Sequence, residues 1–332
     1  MFIGQSPLQE RTQQVSGSFV TWRAEHYYKI SHYDAMPPFF MSIVSSTDHW
    51  LFISSNGALT AGRRNPDIAL FPYYTDDKIQ DSADITGSLT VLQVTRGERT
   101  YAWEPFLDRD AGLYQVTHNL YKTIHGDKLL FEAVNHDLGI AFRYAWMSSD
   151  AYGLVRRAWL ENLSGEALRV RLLDGVRNIL PHGVSQVMQN RVSTLADAYK
   201  KNELDPATGL GMYMLSSIIV DRAEPSEALK CHTVWSAGLA GEARLVSTRQ
   251  LAAFRQGRAV ATETDIRAER GAYLLSAQVE LGAGEERSWY LVAEVNQGPA
   301  EVAEIRRQLG QPEALVAKLE ADIARGSAHL AA

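Results

Sequence analysis

One cysteine, Cys231, is all that 332 residues contain. It excludes an internal disulfide and a cysteine-built zinc site, and it fits a reducing cytoplasm. Its neighbour His232 invites a nucleophile reading, but the pair lies in an alternating strand-like run, where a thiol is expected to be buried and inert. No apolar run approaches the ~18 residues of a membrane span, so no transmembrane helix is expected. No Lys/Arg block interrupts a chain of formal net charge −6. It therefore lacks the electrostatic footprint of a nucleic-acid binder. The opening residues, MFIGQSPLQERTQQ, have no positive segment followed by an apolar one and do not read as a secretory signal. No repeat of short fixed period is visible.

What is present is a long succession of strand patterns. After a polar arm over 1–18, strands are expected at 39–45, 50–54, 89–95, 100–103, 114–118, 129–134 and 139–147. More follow at 154–160, 167–174, 212–220, 230–235, 243–252, 259–267, 272–281 and 287–295. Arg96-Gly97-Glu98 is a short turn that pairs its flanking strands as a hairpin. The strands around Asn162-Leu163-Ser164-Gly165-Glu166 are expected to pair in the same way. Alternation such as Arg169-Val170-Arg171-Leu172 gives one wet and one dry face. Residues 183–201 suit either a helix followed by a strand or neither, and periodicity does not decide. From Pro299 helix formers take over, with Pro312 at a helix start and Leu315, Val316, Leu319 and Ile323 at helical spacing. Many strands without alternating helices argue against a doubly wound sheet. The expected fold is all-β, a large antiparallel two-sheet sandwich over 1–298, followed by amphipathic helices over 299–332.

Residues 50–81, WLFISSNGALTAGRRNPDIALFPYYTDDKIQD, fit strand physics least. A strand opening at Trp50 breaks at Ser54-Ser55-Asn56-Gly57, where Gly57 can take positive φ. Then come Arg63 and Arg64, the rings Tyr73 and Tyr74, and the acids Asp76 and Asp77. The segment reads as one long loop. Rings beside fixed charges are what a pyranose needs, because its apolar face lies on an aromatic ring while its hydroxyls require polar partners. An ordered loop covering a sheet edge explains the same residues.

Residues 143–180 resemble the part of the cellobiose and chitobiose phosphorylases, the family-94 glycoside phosphorylases, where strands and an asparagine-containing turn cross the N-terminal sandwich. Pro72-Tyr73-Tyr74-Thr75-Asp76-Asp77 is similar to that family's "TPW…NDP" region. The run 114–123, YQVTHNLYKT, sits where the family reads Y-x-V-R-H-G-x-G-Y-T, and Leu281-Gly282-Ala283-Gly284-Glu285-Glu286 resembles its "L-x-P-G-E" turn. The resemblance spans most of 51–324 and rests on order and spacing. It implies a galactose-mutarotase-like supersandwich that precedes a helical-barrel catalytic domain downstream of this chain. It also implies homodimer contacts, and inorganic phosphate as co-substrate only in a full-length enzyme. His118 and Thr123 match the pattern. Thr117, Asn119 and Tyr121 replace its arginine and two glycines, so the family's arginine contact is missing or made elsewhere.

The expected sugar contacts are therefore Arg63, Arg64, Tyr73, Tyr74, Asp76, Asp77, His118 and Lys122, with no catalytic residue, metal or cofactor in this chain. Asp76, Asp77, Asp81 and Asp84 match no EF-hand spacing and read as a solvated acidic turn. The leading expectation is a cytoplasmic, dimeric sandwich domain that shapes a sugar or oligosaccharide subsite. One alternative is a non-catalytic carbohydrate-binding module. The other is a mutarotase-like epimerase, which needs His118 or His125 beside an acid in one cleft, with His136 and Glu132 as the nearby supply.

Overall fold

Alternation along Val116–Thr123 points His118 and Leu120 to one side and Asn119 and Tyr121 to the other, and the neighbouring strand Leu129–Asn135 repeats the division. Leu129–Asn135 is buried on both faces and mainly apolar, whereas Val116–Thr123, nearer the sheet edge, is half-buried and mixes polar with apolar side chains. The computed structural model describes residues 1–3, 6–9, 14–107, 112–219 and 228–332. Its centre is an eleven-stranded sheet, antiparallel at every described pairing. In spatial order the strands are Asp265–Arg267, Lys200–Asp205, Leu210–Leu215, Cys231–Ala237, Glu286–Gln297, Gly153–Asn162, Ile140–Ser149, Leu129–Asn135, Val116–Thr123, Glu25–Ser31 and Ser16–Trp22.

A five-stranded sheet (Arg99–Trp103, Gly87–Arg96, Leu168–Ile179, Gly271–Leu281, Ala243–Leu245) and a four-stranded sheet (Phe40–Ile43, His49–Ser54, Leu59–Arg63, Ala69–Phe71) pack against the large one. One cluster of buried side chains joins all three. Phe131, Phe142, Leu160 and Trp289 come from the large sheet, Leu92, Val94 and Val170 from the second, and Leu51, Ile53 and Leu59 from the third. The expected antiparallel supersandwich is the fold.

The other face of the large sheet is covered by helices. Pro312 opens the helix Pro312–Ala331, and Leu315, Leu319 and Ile323, one turn apart, bury against Leu130, Met147, Val155 and Val292. Full burial of each such side chain stabilises by about 1.5–3 kcal/mol. The Asp322 carboxylate accepts hydrogen bonds from the Ser149 hydroxyl and, at 3.1 Å, from the Ala151 N–H, which fixes the helix at a strand end. On the five-stranded sheet, Leu251 and Phe254 of the short helix Leu251–Arg255 cap Leu89, Val91, Leu173 and Leu274.

Several expectations are corrected. Gly153–Asn162 and Leu168–Ile179 are not a hairpin. The first pairs within the large sheet and the second within the five-stranded sheet, so the turn between them carries the chain across the sandwich. Asn162 holds that corner, its side-chain amide donating to the carbonyls of Glu166, Leu281 and Gly282 at 2.7–3.0 Å. Residues 54–81 are not one loop, since they contain the strands Leu59–Arg63 and Ala69–Phe71, whose apolar residues enter the core. Residues 183–201 do hold a helix, Gln186–Tyr199, which leads directly into a strand. The expected strand 243–252 ends at Leu245 and gives way to helix, and 259–267 is strand only over Asp265–Arg267. Val220, at the end of the expected strand 212–220, lies outside the described residues, as do several residues of the 1–18 arm.

Candidate functional site

The crossing at Asn162 sets Arg156 of the large sheet opposite Asp174 of the five-stranded sheet, and both are fully buried. Arg156 donates two hydrogen bonds to the carboxylate, Nη1 at 2.8 Å and Nη2 at 2.9 Å, while its Nε donates to Ser88 Oγ at 3.0 Å. Thr90 Oγ1 and Trp289 Nε1 also donate to Asp174, at 2.6 and 2.7 Å. This network holds the two sheets in register at one place. Directly beside it, the sheets and their connecting turns enclose a cleft of about 520 Å³.

Aromatic rings make the wall on the large-sheet side. Tyr144 stacks on Phe131 with centroids 4.9 Å apart, and Phe106 meets Tyr144 edge-on at 5.2 Å. Arg156 lies 4.8 Å over the Tyr144 ring from behind, and burial pushes that phenol up, so it stays neutral as a donor. Ser88, Thr90 and Arg177 line the opposite side. The turn Ser55-Asn56-Gly57 closes one edge. Gly57 has φ 86°, a left-handed conformation that glycine takes without strain, and it brings the turn alongside the Tyr144 hydroxyl.

Charged groups are fixed around this wall. Glu104 is held by both arms of Arg255, Nε and Nη2 each at 2.7 Å. Arg177 Nη2 donates to the Ala83 carbonyl at 3.0 Å. His118 Nδ1 stands 3.2 Å from Asp34 Oδ2, with Phe106 and Tyr33 rings about it at 5.9 and 6.3 Å. Asp34 is presented by the 3-10 turn Tyr33–Ala35, which follows His32 in the left-handed region and closes through Met36 N–H to the Tyr33 carbonyl. The contact is one of proximity, since Nδ1 is buried and not aligned for a hydrogen bond to the carboxylate. The cleft thus offers apolar ring faces together with anchored donors and acceptors, the combination that a polyhydroxylated ring requires.

Of the residues expected to touch sugar, this cleft takes in His118 alone among those described. Arg63 is spent elsewhere, donating to Asp48 Oδ1 and Glu294 Oε2 at 2.7 Å each. Arg64, at φ 60°, reaches Asp48 at 3.1 Å and is otherwise exposed. Tyr73 lies edge-on to Trp50 at 5.7 Å, and Tyr74 is half-buried with its phenol pushed up by burial. Asp76 and Asp77 begin the short helix Asp76–Ile79, and their side chains lie outside the described residues. Lys122 lines a different recess, two alternations further along the strand that carries His118. Glu132 is on the opposite face of the sheet from His118, committed to Arg143, Asn119 and Tyr121. His136 pairs with Thr117 at 2.8 Å, and His125 is exposed in a turn.

Asp34, Glu104, Phe106, Tyr144, Arg177 and Arg255 are the cleft residues that sequence reasoning did not single out. Local signals exist for two of them. Asp34 precedes Met36-Pro37-Pro38, and Glu104 precedes Pro105-Phe106, so each acid stands beside a proline-fixed turn. Cys231 is buried as expected, and burial pushes its thiol up to about 12. It is an inert core group.

No family model and no curated protein matches this sequence. Among solved structures, the chain is similar to a bacterial glucoamylase complexed with acarbose, with TM-score 0.44 and 12% identity over 86% of this chain and 37% of that one. It is similar to a polysaccharide lyase with TM-score 0.41 and 14% identity over 80% of this chain and 33% of the other. A galactose mutarotase-like protein from Clostridium acetobutylicum is similar over 86% of this chain and 99% of its own, with TM-score 0.38 and 11% identity. The chain spans only about a third of the length of the first two.

Proposed function

We propose that the cleft between the sheets binds a neutral sugar ring, and that this sandwich is the sugar-recognising part of a carbohydrate-active enzyme. The observation that carries the reading is the cleft's composition, in which the stacked rings of Tyr144, Phe131 and Phe106 are bordered by Asp34, Glu104, Arg177, Arg255 and His118. Glu104 and Arg255 neutralise each other, which favours hydroxyl groups over a charged ligand. Calorimetry with a panel of mono- and oligosaccharides tests this. Saturable binding that is lost on Phe106→Ala, with the melting temperature retained, is expected. No heat with any member of the panel overturns the reading.

The resemblance to the family-94 phosphorylases supports a finer version. In it the sandwich works beside a helical-barrel domain on further chain, in a dimer, with inorganic phosphate as co-substrate. Phosphorolysis of β-linked disaccharides that requires that further chain is the expected result, and robust turnover by these 332 residues alone would defeat it.

A second reading is favoured by one contact, His118 Nδ1 to Asp34 Oδ2 at 3.2 Å inside the cleft. An imidazole beside a carboxylate is suited to move a proton between the ring oxygen and the anomeric hydroxyl of an aldose. Polarimetry of freshly dissolved α-glucose and α-galactose separates the two readings. Acceleration of anomer exchange that His118→Ala abolishes supports the epimerase, and binding without acceleration supports recognition alone.

A further inference from the structure

The strand Val116–Thr123 serves two recesses with one face. His118 lines the cleft, while four residues on, roughly 13 Å along an extended chain, Lys122 lines a separate groove of about 370 Å³. That groove is walled almost wholly by carbon, from Phe19, Tyr28, Ile30, Phe39, Met41, Leu120 and Ile124. Phe19 and Tyr28 meet edge-on at 5.2 Å. Phe19 is 77% exposed and Ile124 56%, so these apolar walls stand open to solvent.

Lys122 is the one charged group among the lining residues. Its stem runs past Gly126 and Val44, close enough that a Cβ on Gly126 would lie 3.3 Å from Lys122 Cε. Two features of its surroundings matter. Thr123 Oγ1, the neighbouring polar group, is already committed to Asp127 at 2.6 Å, and Asp127 also accepts from Ser327 at 2.5 Å. Among the described residues, no carboxylate pairs with the Lys122 ammonium. Desolvation lowers the Lys122 pKa, and no neighbouring charge offsets it. Lys122 is half-buried, so its stem lies along the apolar wall while its ammonium stands at the groove as a positive charge open to an incoming anion.

We propose that this groove is a second binding site, for an apolar monocarboxylate whose hydrocarbon body lies along Phe19, Tyr28 and Met41 and whose carboxylate pairs with Lys122. The charge complementarity selects an anion, the carbon walls select an aliphatic or aryl body, and the volume is that of a small-molecule site. The site is independent of the sugar cleft and stands or falls without it.

The test uses octanoate, with octan-1-ol as the uncharged probe of equal chain length, followed by titration calorimetry and by intrinsic fluorescence. Octanoate should bind the native chain more tightly than octanol. Lys122→Met should weaken octanoate about tenfold or more, as expected for loss of a charged hydrogen bond, and should leave octanol unchanged. Lys122→Arg should retain octanoate binding, and Phe19→Ser should weaken both ligands. Melting curves of each variant establish that the fold is intact. Equal affinity for the acid and the alcohol, or octanoate binding that survives Lys122→Met, would overturn the proposal. So would absence of octanoate binding, or a dimer that Phe19→Ser dissociates, since a second copy would then be the groove's occupant.

Discussion

Replacing Arg156 by methionine tests the internal electrostatics that place the cleft. Methionine matches the stem of arginine but removes both bonds to Asp174, leaving a fully buried carboxylate with Thr90 and Trp289 as its remaining donors. Breaking one partner out of a buried pair costs about 3–5 kcal/mol, because the other charge stays in a poorly solvating place. The unfolding entropy of a chain of 332 residues is about 0.7 kcal/mol/K near 60 °C from the per-residue average. The expected fall in Tm is therefore about 4–7 °C for a single cooperative transition. Arg156→Met/Asp174→Asn removes both charges while the amide oxygen can still accept from Trp289 and the amide nitrogen can donate to the Thr90 hydroxyl, so the double variant should melt above Arg156→Met alone. Scanning calorimetry, with the van't Hoff and calorimetric enthalpies compared, provides the measurement. An unchanged Tm in Arg156→Met, or a double variant less stable than the single by the full cost of Asp174→Asn, would refute the reasoning.

Two further predictions concern stability. Burial holds His49 down to about 4 and His232 down to about 3, so the fold keeps both imidazoles neutral. Below pH 6.5 the unfolded chain takes up protons that the fold refuses, and each group removes up to about 1.4 kcal/mol per pH unit until its folded pKa is reached. Glu294, raised by burial, acts in the opposite sense within the same window, gaining stability as pH falls from its raised folded pKa to the ordinary 4.5. Denaturant midpoints should therefore fall steeply from pH 6.5 to 4, and His49→Gln/His232→Gln should flatten that slope. Leu319→Ala, at a fully buried position under the large sheet, should cost about 2–5 kcal/mol, and proteolysis should then open the C-terminal helix before the sandwich. Equal protection of helix and core in that variant would count against separate opening.

How much of this was legible in the sequence follows from what each signal encodes. Alternation and turn chemistry identified the strands and the all-β class, and helical spacing from Pro299 identified the terminal helices, because those patterns are local. Sheet membership is not local. Gly153–Asn162 and Leu168–Ile179 have the same alternation whether they pair with each other or face each other across the core, and only the partners supplied by Glu286–Gln297 and Gly271–Leu281 decide it. The aromatic segment 50–81 attracted attention for its composition, yet Arg63 balances Asp48 and Glu294, and Tyr73 packs on Trp50, so its charges and rings are largely satisfied internally. The cleft residues come from distant stretches; Asp34 and Glu104 stand beside proline-fixed turns, while Tyr144, Arg177 and Arg255 have ordinary local surroundings. His118 and Lys122, close in sequence and on one face, were read as one subsite, but strand geometry carries them to different recesses.

The central claim, that a sugar ring lies against the Tyr144 and Phe106 rings between the sheets, is tested most directly by nuclear Overhauser contacts between a bound sugar and assigned aromatic protons. Contacts from sugar ring protons to Tyr144, Phe106 and His118 are predicted. A sugar that contacts Tyr73 and Trp50 instead, or none of these rings, would contradict the account.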